Sequence, residues 1–135
     1  MTPEAKDFLD KARDDLDDAR KIAGISLAKV AARSAYYAAF HAAEALIVER
    51  TGKVAKTHSG VRAEIAHLLK GAPDAERALL TFLAKSYKYK EMSDYGVGLG
   101  AVVTDAEASE AIDAAARFIE RIAALLAAQP SADTP

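Results

Sequence analysis

The sequence predicts an all-α protein, an up-and-down bundle of four long helices and one shorter helix. The main observation is the segment from Leu27 to Arg50, which is rich in Ala and contains no Gly or Pro. This segment is apolar on most of its circumference, as expected of a helix at the centre of a bundle. Elsewhere apolar residues recur at helical spacing, and no segment alternates apolar and polar residues as a half-buried strand does.

The first helix is predicted to begin next to Thr2 and Pro3, an N-cap hydroxyl followed by a residue suited to the first helical position. Apolar residues then recur every three or four positions, opposite a run of Asp and Arg. We expect Gly24 to cap the end of this helix and Ser26 to cap the start of the central one.

The shorter helix is predicted from about Ser59 and is stopped before Pro73, with Gly52 closing the central helix before it. The fourth helix is predicted from Asp74 to about Ser93. A connector containing three glycines, Gly96, Gly98 and Gly100, follows it.

The last helix opens with a capping box, Thr104-x-x-Glu107, in which two side chains satisfy the first backbone N–H groups. The chain of 135 residues is short enough for a single domain, predicted over 1–128. Residues 129–135 are predicted to form a disordered tail.

Composition narrows the possible functions. A net charge of −2 gives no overall attraction to nucleic acid, so any such contact needs a local basic patch. The chain has no Cys, which excludes disulfides and thiolate metal sites. No apolar run approaches the ~20 residues of a membrane span, and the charged N-terminal segment does not resemble a signal peptide. We expect a cytoplasmic protein with no metal and no cofactor.

A polar stripe runs along the central helix, where Arg33, Tyr37, His41 and Glu44 follow one another at steps of four, four and three. One interpretation is an anion or nucleotide pocket, because Arg pairs with phosphate oxygens and His exchanges protons near neutral pH. The other is a core hydrogen-bond network in which Arg33 and Glu44 neutralise each other.

A second candidate is the segment KTHSG at 56–60, just before the shorter helix. Hydroxyls and backbone N–H groups at a helix start can hold an anion, with Lys56 and His58 assisting. Simple capping by Thr57 or Ser59 explains the same residues.

Arg62 and His67 form an Arg–His pair in sequence. Residues five apart on a helix diverge by roughly 140°. We therefore assign this pair no joint role.

A third candidate is the basic and aromatic stretch KSYKYK at 85–90. Lys for phosphates and Tyr for base stacking is the chemistry of single-stranded RNA binding. An exposed helix end with Tyr87 in the core is the other interpretation.

Three segments together resemble small stand-alone HEPN domains: AYYAAFHAA at 35–43, KTHSG at 56–60 and SDY at 93–95. The likeness covers nearly the whole chain in order. It implies a helical bundle that forms a homodimer. It also implies a protein partner, a minimal nucleotidyltransferase encoded beside it in a toxin–antitoxin or defence module.

Many HEPN proteins are metal-independent ribonucleases with an Arg followed after four to six residues by a His. In this sequence the Arg position is similar to Lys90, the His position falls near Asp94 and Tyr95, and no His follows His67. The resemblance therefore implies a non-catalytic or weakly catalytic module that binds nucleotide or RNA. The alternatives are a ribonuclease toxin that uses a substitute constellation and a structural helical adaptor. The candidate catalytic residues for that ribonuclease are His41, His58, Lys90 and Tyr95.

The most specific prediction is a shared polar site where Arg33, Tyr37 and His41 meet the end of the fourth helix. Asp94 is expected to pair with Arg33 or to orient His41, with Tyr95 beside it. The complete predicted binding set is Arg33, Tyr37, His41, Lys56, His58, Lys90, Asp94 and Tyr95.

Overall fold

The computed structural model describes the backbone of residues 1–95 and 102–128, and their side chains except at 75, 76 and 93–95. This part of the chain forms five α-helices and no strand, which confirms the predicted all-α bundle. They are α1 (Pro3–Gly24), α2 (Ala28–Thr51), α3 (His58–Leu68), α4 (Asp74–Tyr95) and α5 (Asp105–Ala127). The predicted glycine connector and the tail at 129–135 lie outside the described residues.

Helix α2 is the centre of the bundle and packs against each of the other four helices. Its Ala side chains allow this close approach, because a methyl group keeps neighbouring helix backbones near one another. The α2 alanines with no exposed surface are Ala31, Ala32, Ala35, Ala38, Ala39, Ala42, Ala43 and Ala45. The few polar side chains of α2 therefore emerge only where neighbouring helices leave gaps.

Three predicted helix ends are confirmed. The Thr2 hydroxyl accepts a hydrogen bond from the Ala5 backbone N–H at 3.2 Å and caps α1. Gly52 ends α2 in the left-handed conformation, with φ of 74°. At α5 the Thr104 hydroxyl accepts from the Glu107 backbone N–H at 3.0 Å, and Glu107 accepts from the Thr104 backbone N–H at 3.1 Å.

The prediction that Ser26 caps α2 is wrong. Ser26 has a φ of 63°, and its N–H donates back to the Ala23 carbonyl at 3.0 Å. It therefore belongs to the turn that closes α1, and α2 begins after Leu27 without a side-chain cap. The prediction that Gly24 caps the end of α1 is also wrong, because Gly24 is the last residue of the helix and Ile25 is its cap.

Candidate functional site

The segment 56–60 forms the start of α3, and its Thr57 is a helix cap. The Thr57 hydroxyl accepts from the Gly60 backbone N–H at 2.9 Å, so capping explains this hydroxyl. Lys56 is exposed on the loop and makes no hydrogen bond, ion pair or ring contact with the described residues. His58, the first residue of α3, instead points back onto the central helix.

His58 is held by a tyrosine of the core. The Tyr36 hydroxyl lies 2.7 Å from His58 Nδ1, and Tyr36 has no exposed surface. Burial raises the pKa of Tyr36 far above its usual range, and the nearby Arg62 guanidinium opposes this only in part. The hydroxyl therefore keeps its proton. When it donates that proton to Nδ1, the neutral imidazole carries its own proton on Nε2.

The His58 ring lies inside a cluster of four other rings. It stacks on Phe40, with 4.5 Å between ring centroids. Tyr36 and Tyr37 of α2 each lie 5.8 Å away, and Tyr87 of α4 lies at 5.4 Å. The cluster joins α2, α3 and α4. It therefore fixes the positions of the half-buried side chains that these helices present to solvent.

Positive side chains surround the exposed edge of this cluster. The Arg62 guanidinium lies 4.7 Å from the centre of the Tyr87 ring, and Lys90 Nζ lies 5.9 Å from the same ring. The Arg33 guanidinium lies 4.7 Å from the centre of the Tyr37 ring. These geometries are those of cation–π interactions.

We name these half-buried residues the cation–aromatic surface: Arg33, Tyr37, His58, Arg62, Tyr87 and Lys90. One of its atoms is notable. Arg62 Nη1 is buried and makes no hydrogen bond with the described residues. A buried guanidinium nitrogen without an acceptor is costly. The same guanidinium lies close enough to the Tyr36 hydroxyl to lower the pKa of Tyr36 by its charge and by a hydrogen bond.

His41 belongs to a neighbouring polar group. Its Nδ1 donates to Glu44 Oε1 at 2.6 Å, and its Nε2 lies 3.5 Å from Asp15 Oδ2 on α1. Burial raises the pKa of Asp15, and the charge of His41 opposes the shift. His41 thus links α1 to α2 through two carboxylates.

The structure places three of the predicted residues, Arg33, Tyr37 and His41, along one cleft between α1 and α2. His58 and Lys90 lie at the other side of Tyr37, on the cation–aromatic surface. The predicted partners Asp94 and Tyr95 lie in the last turn of α4, and their side chains are outside the described residues. The carboxylates that contact His41 are those of Asp15 and Glu44.

Four residues that make these contacts, Tyr36, Tyr87, Arg62 and Asp15, were not in the predicted site. The sequence pattern put Tyr36 on an apolar face of α2 and left two interpretations of Tyr87, a core residue or a base-stacking one. Arg62 was interpreted only as a pair with His67. Asp15 was one of many acidic residues on α1. The spacing of His58 and Arg62, one helical turn apart, was the signal that could have found the pair.

Two kinds of structure are absent from the described ranges. No helix there combines the length and the apolar character needed to cross a membrane. Within the same ranges, no three His or carboxylate side chains are arranged to hold a metal ion.

Comparison with known proteins agrees with the all-α fold. A sequence model of the HEPN domain matches residues 5–125, and the chain therefore belongs to the HEPN family. It is similar to a UPF0332 protein of Gloeobacter violaceus, with 29% identity over 120 residues. That match covers 89% of this chain and 94% of the relative.

Proposed function

We propose that this chain is a non-catalytic HEPN module that binds single-stranded RNA on its cation–aromatic surface. The observation that carries the proposal is the half-buried Arg62 guanidinium, which lies 4.7 Å from the centre of the Tyr87 ring. A phosphate oxygen at the accessible edge of this guanidinium would form a charge-assisted hydrogen bond. Lys90 contacts the same Tyr87 ring and adds a second positive charge that would face the phosphate backbone of the RNA.

The mixture of residue types favours RNA over a simple anion. Single-stranded nucleic acids are bound by positive side chains that follow the backbone and by aromatic or Arg planes that stack on bases. Tyr37 and Tyr87 are half-buried, and each has a guanidinium against its ring. Since the whole chain carries a net charge of −2, this local group of cations is the part suited to a polyanion.

The same contacts favour binding without cleavage. The family resemblance places the catalytic Arg–His pair of HEPN ribonucleases on the fourth helix, where this chain has Lys90 and no His after His67. His58 has its Nδ1 engaged by the Tyr36 hydroxyl. In this arrangement the imidazole supports the ring cluster and presents no Nδ1 base to a ribose hydroxyl.

The proposal is tested by fluorescence anisotropy with a labelled single-stranded RNA in the presence of a chelator. Arg62→Gln is expected to weaken binding about 10-fold, the loss of one hydrogen bond to a charged group. Arg77→Gln is the control, because Arg77 lies on the exposed start of α4 and carries the same charge. Equal affinities of wild type and Arg62→Gln would remove the proposal.

A metal-independent ribonuclease is the second candidate, and one observation favours it. His58 and Arg62 lie one turn apart on α3, which gives an Arg and a His on the same surface. Gel analysis of the same RNA in chelator decides between the two candidates. Cleavage by wild type that is lost in a folded His58→Ala variant would replace the binding proposal with a nuclease.

We also propose that the chain forms a homodimer and partners a minimal nucleotidyltransferase in a toxin–antitoxin or defence system. Membership of the HEPN family supports the homodimer, and the partner is proposed only from the family resemblance noted in the sequence. Light scattering tests the dimer, and copurification with a co-expressed nucleotidyltransferase tests the partner. Copurification without any RNA binding would favour the structural adaptor instead.

A further inference from the structure

The cleft between α1 and α2 adjoins the cation–aromatic surface. Its volume is about 350 Å³, at the small end of the ~300–1,000 Å³ typical of small-molecule sites. Its wall is formed by Lys11, Asp15, Arg33, Ser34, Tyr37 and His41. The Tyr37 ring connects the two regions, because it lies 5.9 Å from the His41 ring and 5.8 Å from the His58 ring.

The cleft places a fixed hydrogen-bond acceptor close to two cations. Asp15 is about one-fifth exposed, and His41 Nε2 lies 3.5 Å from its Oδ2. Glu44 holds His41 through a 2.6 Å contact between Oε1 and Nδ1, so His41 keeps its position beside the Asp15 carboxylate. Lys11 and Arg33 line the same cleft.

From this arrangement we propose that the cleft receives a guanine base, either of a free nucleotide or within RNA. Guanine has two adjacent donors, N1–H and N2–H₂, which a single carboxylate accepts together. Its O6 and N7 atoms are acceptors that pair with Arg or Lys. Asp15 would take the donor edge, and Arg33 with Lys11 would take the acceptor edge.

The other bases fit this cleft less well. Adenine has an acceptor at N1 and cytosine has one at N3, and each would face the Asp15 carboxylate. Uracil has a single N–H donor between two carbonyl oxygens. Burial also raises the pKa of Asp15, as expected of a carboxylate that is partly removed from water and that paired donors would stabilise. Guanine is therefore the base whose edge matches the cleft.

For a guanine within RNA, this inference rests on the proposed RNA-binding function, whereas for a free guanine nucleotide it does not. The test separates these two sources of the base. Anisotropy compares oligouridine with the same oligomer carrying one central G or one central A. Wild type is expected to bind the G oligomer about 10-fold more tightly than the other two. Calorimetric titration with GMP and AMP measures the free nucleotide, with GMP expected to bind more tightly.

Variants assign the preference to the cleft. Asp15→Asn keeps the side-chain shape but removes the charged acceptor, so the G-to-U affinity ratio is expected to fall to about 1. Lys11→Gln changes an exposed residue of the wall and is expected to lower the ratio without disturbing the contact between Asp15 and His41. The control Asp17→Asn removes the same charge from the exposed face of α1 and should keep the ratio. Arg62→Gln should weaken every oligomer and also keep the ratio.

Each outcome decides one claim. RNA binding with equal affinity for all three oligomers and for GMP and AMP would overturn the guanine inference and leave the proposed function standing. GMP binding that Asp15→Asn abolishes, without RNA binding, would assign the cleft to a free nucleotide and overturn the proposed function. A preference for A, or no binding of RNA and GMP, would overturn the inference.

Discussion

The hydroxyl of Tyr36, a residue with no exposed surface, lies 2.7 Å from Nδ1 of His58. This contact joins the middle of α2 to the first residue of α3. It also holds the His58 ring against Phe40 and close to Tyr87. The contact therefore helps to fix the position of α3 on α2, and Arg62 of α3 in turn lies beside the Tyr87 ring of α4.

Replacing Tyr36 with Phe is expected to destabilise the protein by about 1–3 kcal/mol. The change keeps the ring but leaves His58 Nδ1 without its partner. Urea unfolding followed by circular dichroism measures the free energy of unfolding. Tyr89→Phe is the matched control, since Tyr89 is also buried but makes no hydrogen bond with His58. An equal loss in both variants would contradict the role given to the contact.

Alkaline pH should destabilise the protein partly through Tyr36. Because burial raises the pKa of Tyr36, the unfolded chain loses this proton at a lower pH than the folded chain does. The stability associated with the neutral hydroxyl is thus complete below about pH 10 and decreases as pH rises further. The loss of unfolding free energy between about pH 9 and 11 is expected to be smaller in Tyr36→Phe. An unchanged loss would show that other groups cause it.

His41 is expected to be coupled to Glu44 in stability. Glu44 is only 8% exposed, and His41→Ala leaves its carboxylate without the imidazole at 2.6 Å. A loss of about 3 kcal/mol follows for the single variant, as for a broken buried ion pair. In a double-mutant cycle with Glu44→Gln, the coupling energy should exceed about 1 kcal/mol. Additive effects would mean that the two side chains act independently.

Two glycines should respond in opposite directions to substitution by Ala. Gly52 has a φ of 74°, so Gly52→Ala introduces strain and should cost about 1 kcal/mol. Gly24 ends α1 without a positive φ, and an added methyl group meets no atom within 4 Å. Gly24→Ala should therefore stabilise the protein by about 0.5–1 kcal/mol. Thermal unfolding of the pair checks both signs, and a stabilising Gly52→Ala would contradict the assigned turn.

Most of the fold could be predicted because its signals are local. Ala-rich periodicity identified α2, and Thr2, Gly52 and Thr104 marked helix ends through hydrogen bonds within a few residues. The error at Ser26 concerns the turn between α1 and α2. Ser26 takes the left-handed conformation and its N–H donates to the Ala23 carbonyl, so its backbone closes α1 and does not start α2.

The site was less predictable because it is formed by contacts between helices. A spacing of four placed Arg33, Tyr37 and His41 on one face, and that face lines a cleft. No spacing within α2 could show that Tyr36 reaches His58, or that Arg62 and Tyr87 meet across α3 and α4. Such pairs depend on the relative position of packed helices, which one-dimensional periodicity does not contain.

The salt dependence of RNA affinity tests the central claim most directly. Each phosphate neutralised on single-stranded nucleic acid contributes about −0.7 to the slope of log affinity against log salt concentration. Wild type and Arg62→Gln are titrated with one RNA over a range of salt, with Arg77→Gln as the control. We expect Arg62→Gln to reduce the magnitude of the slope by about 0.7 and Arg77→Gln to leave it unchanged. Identical slopes for wild type and Arg62→Gln would contradict a phosphate contact at Arg62.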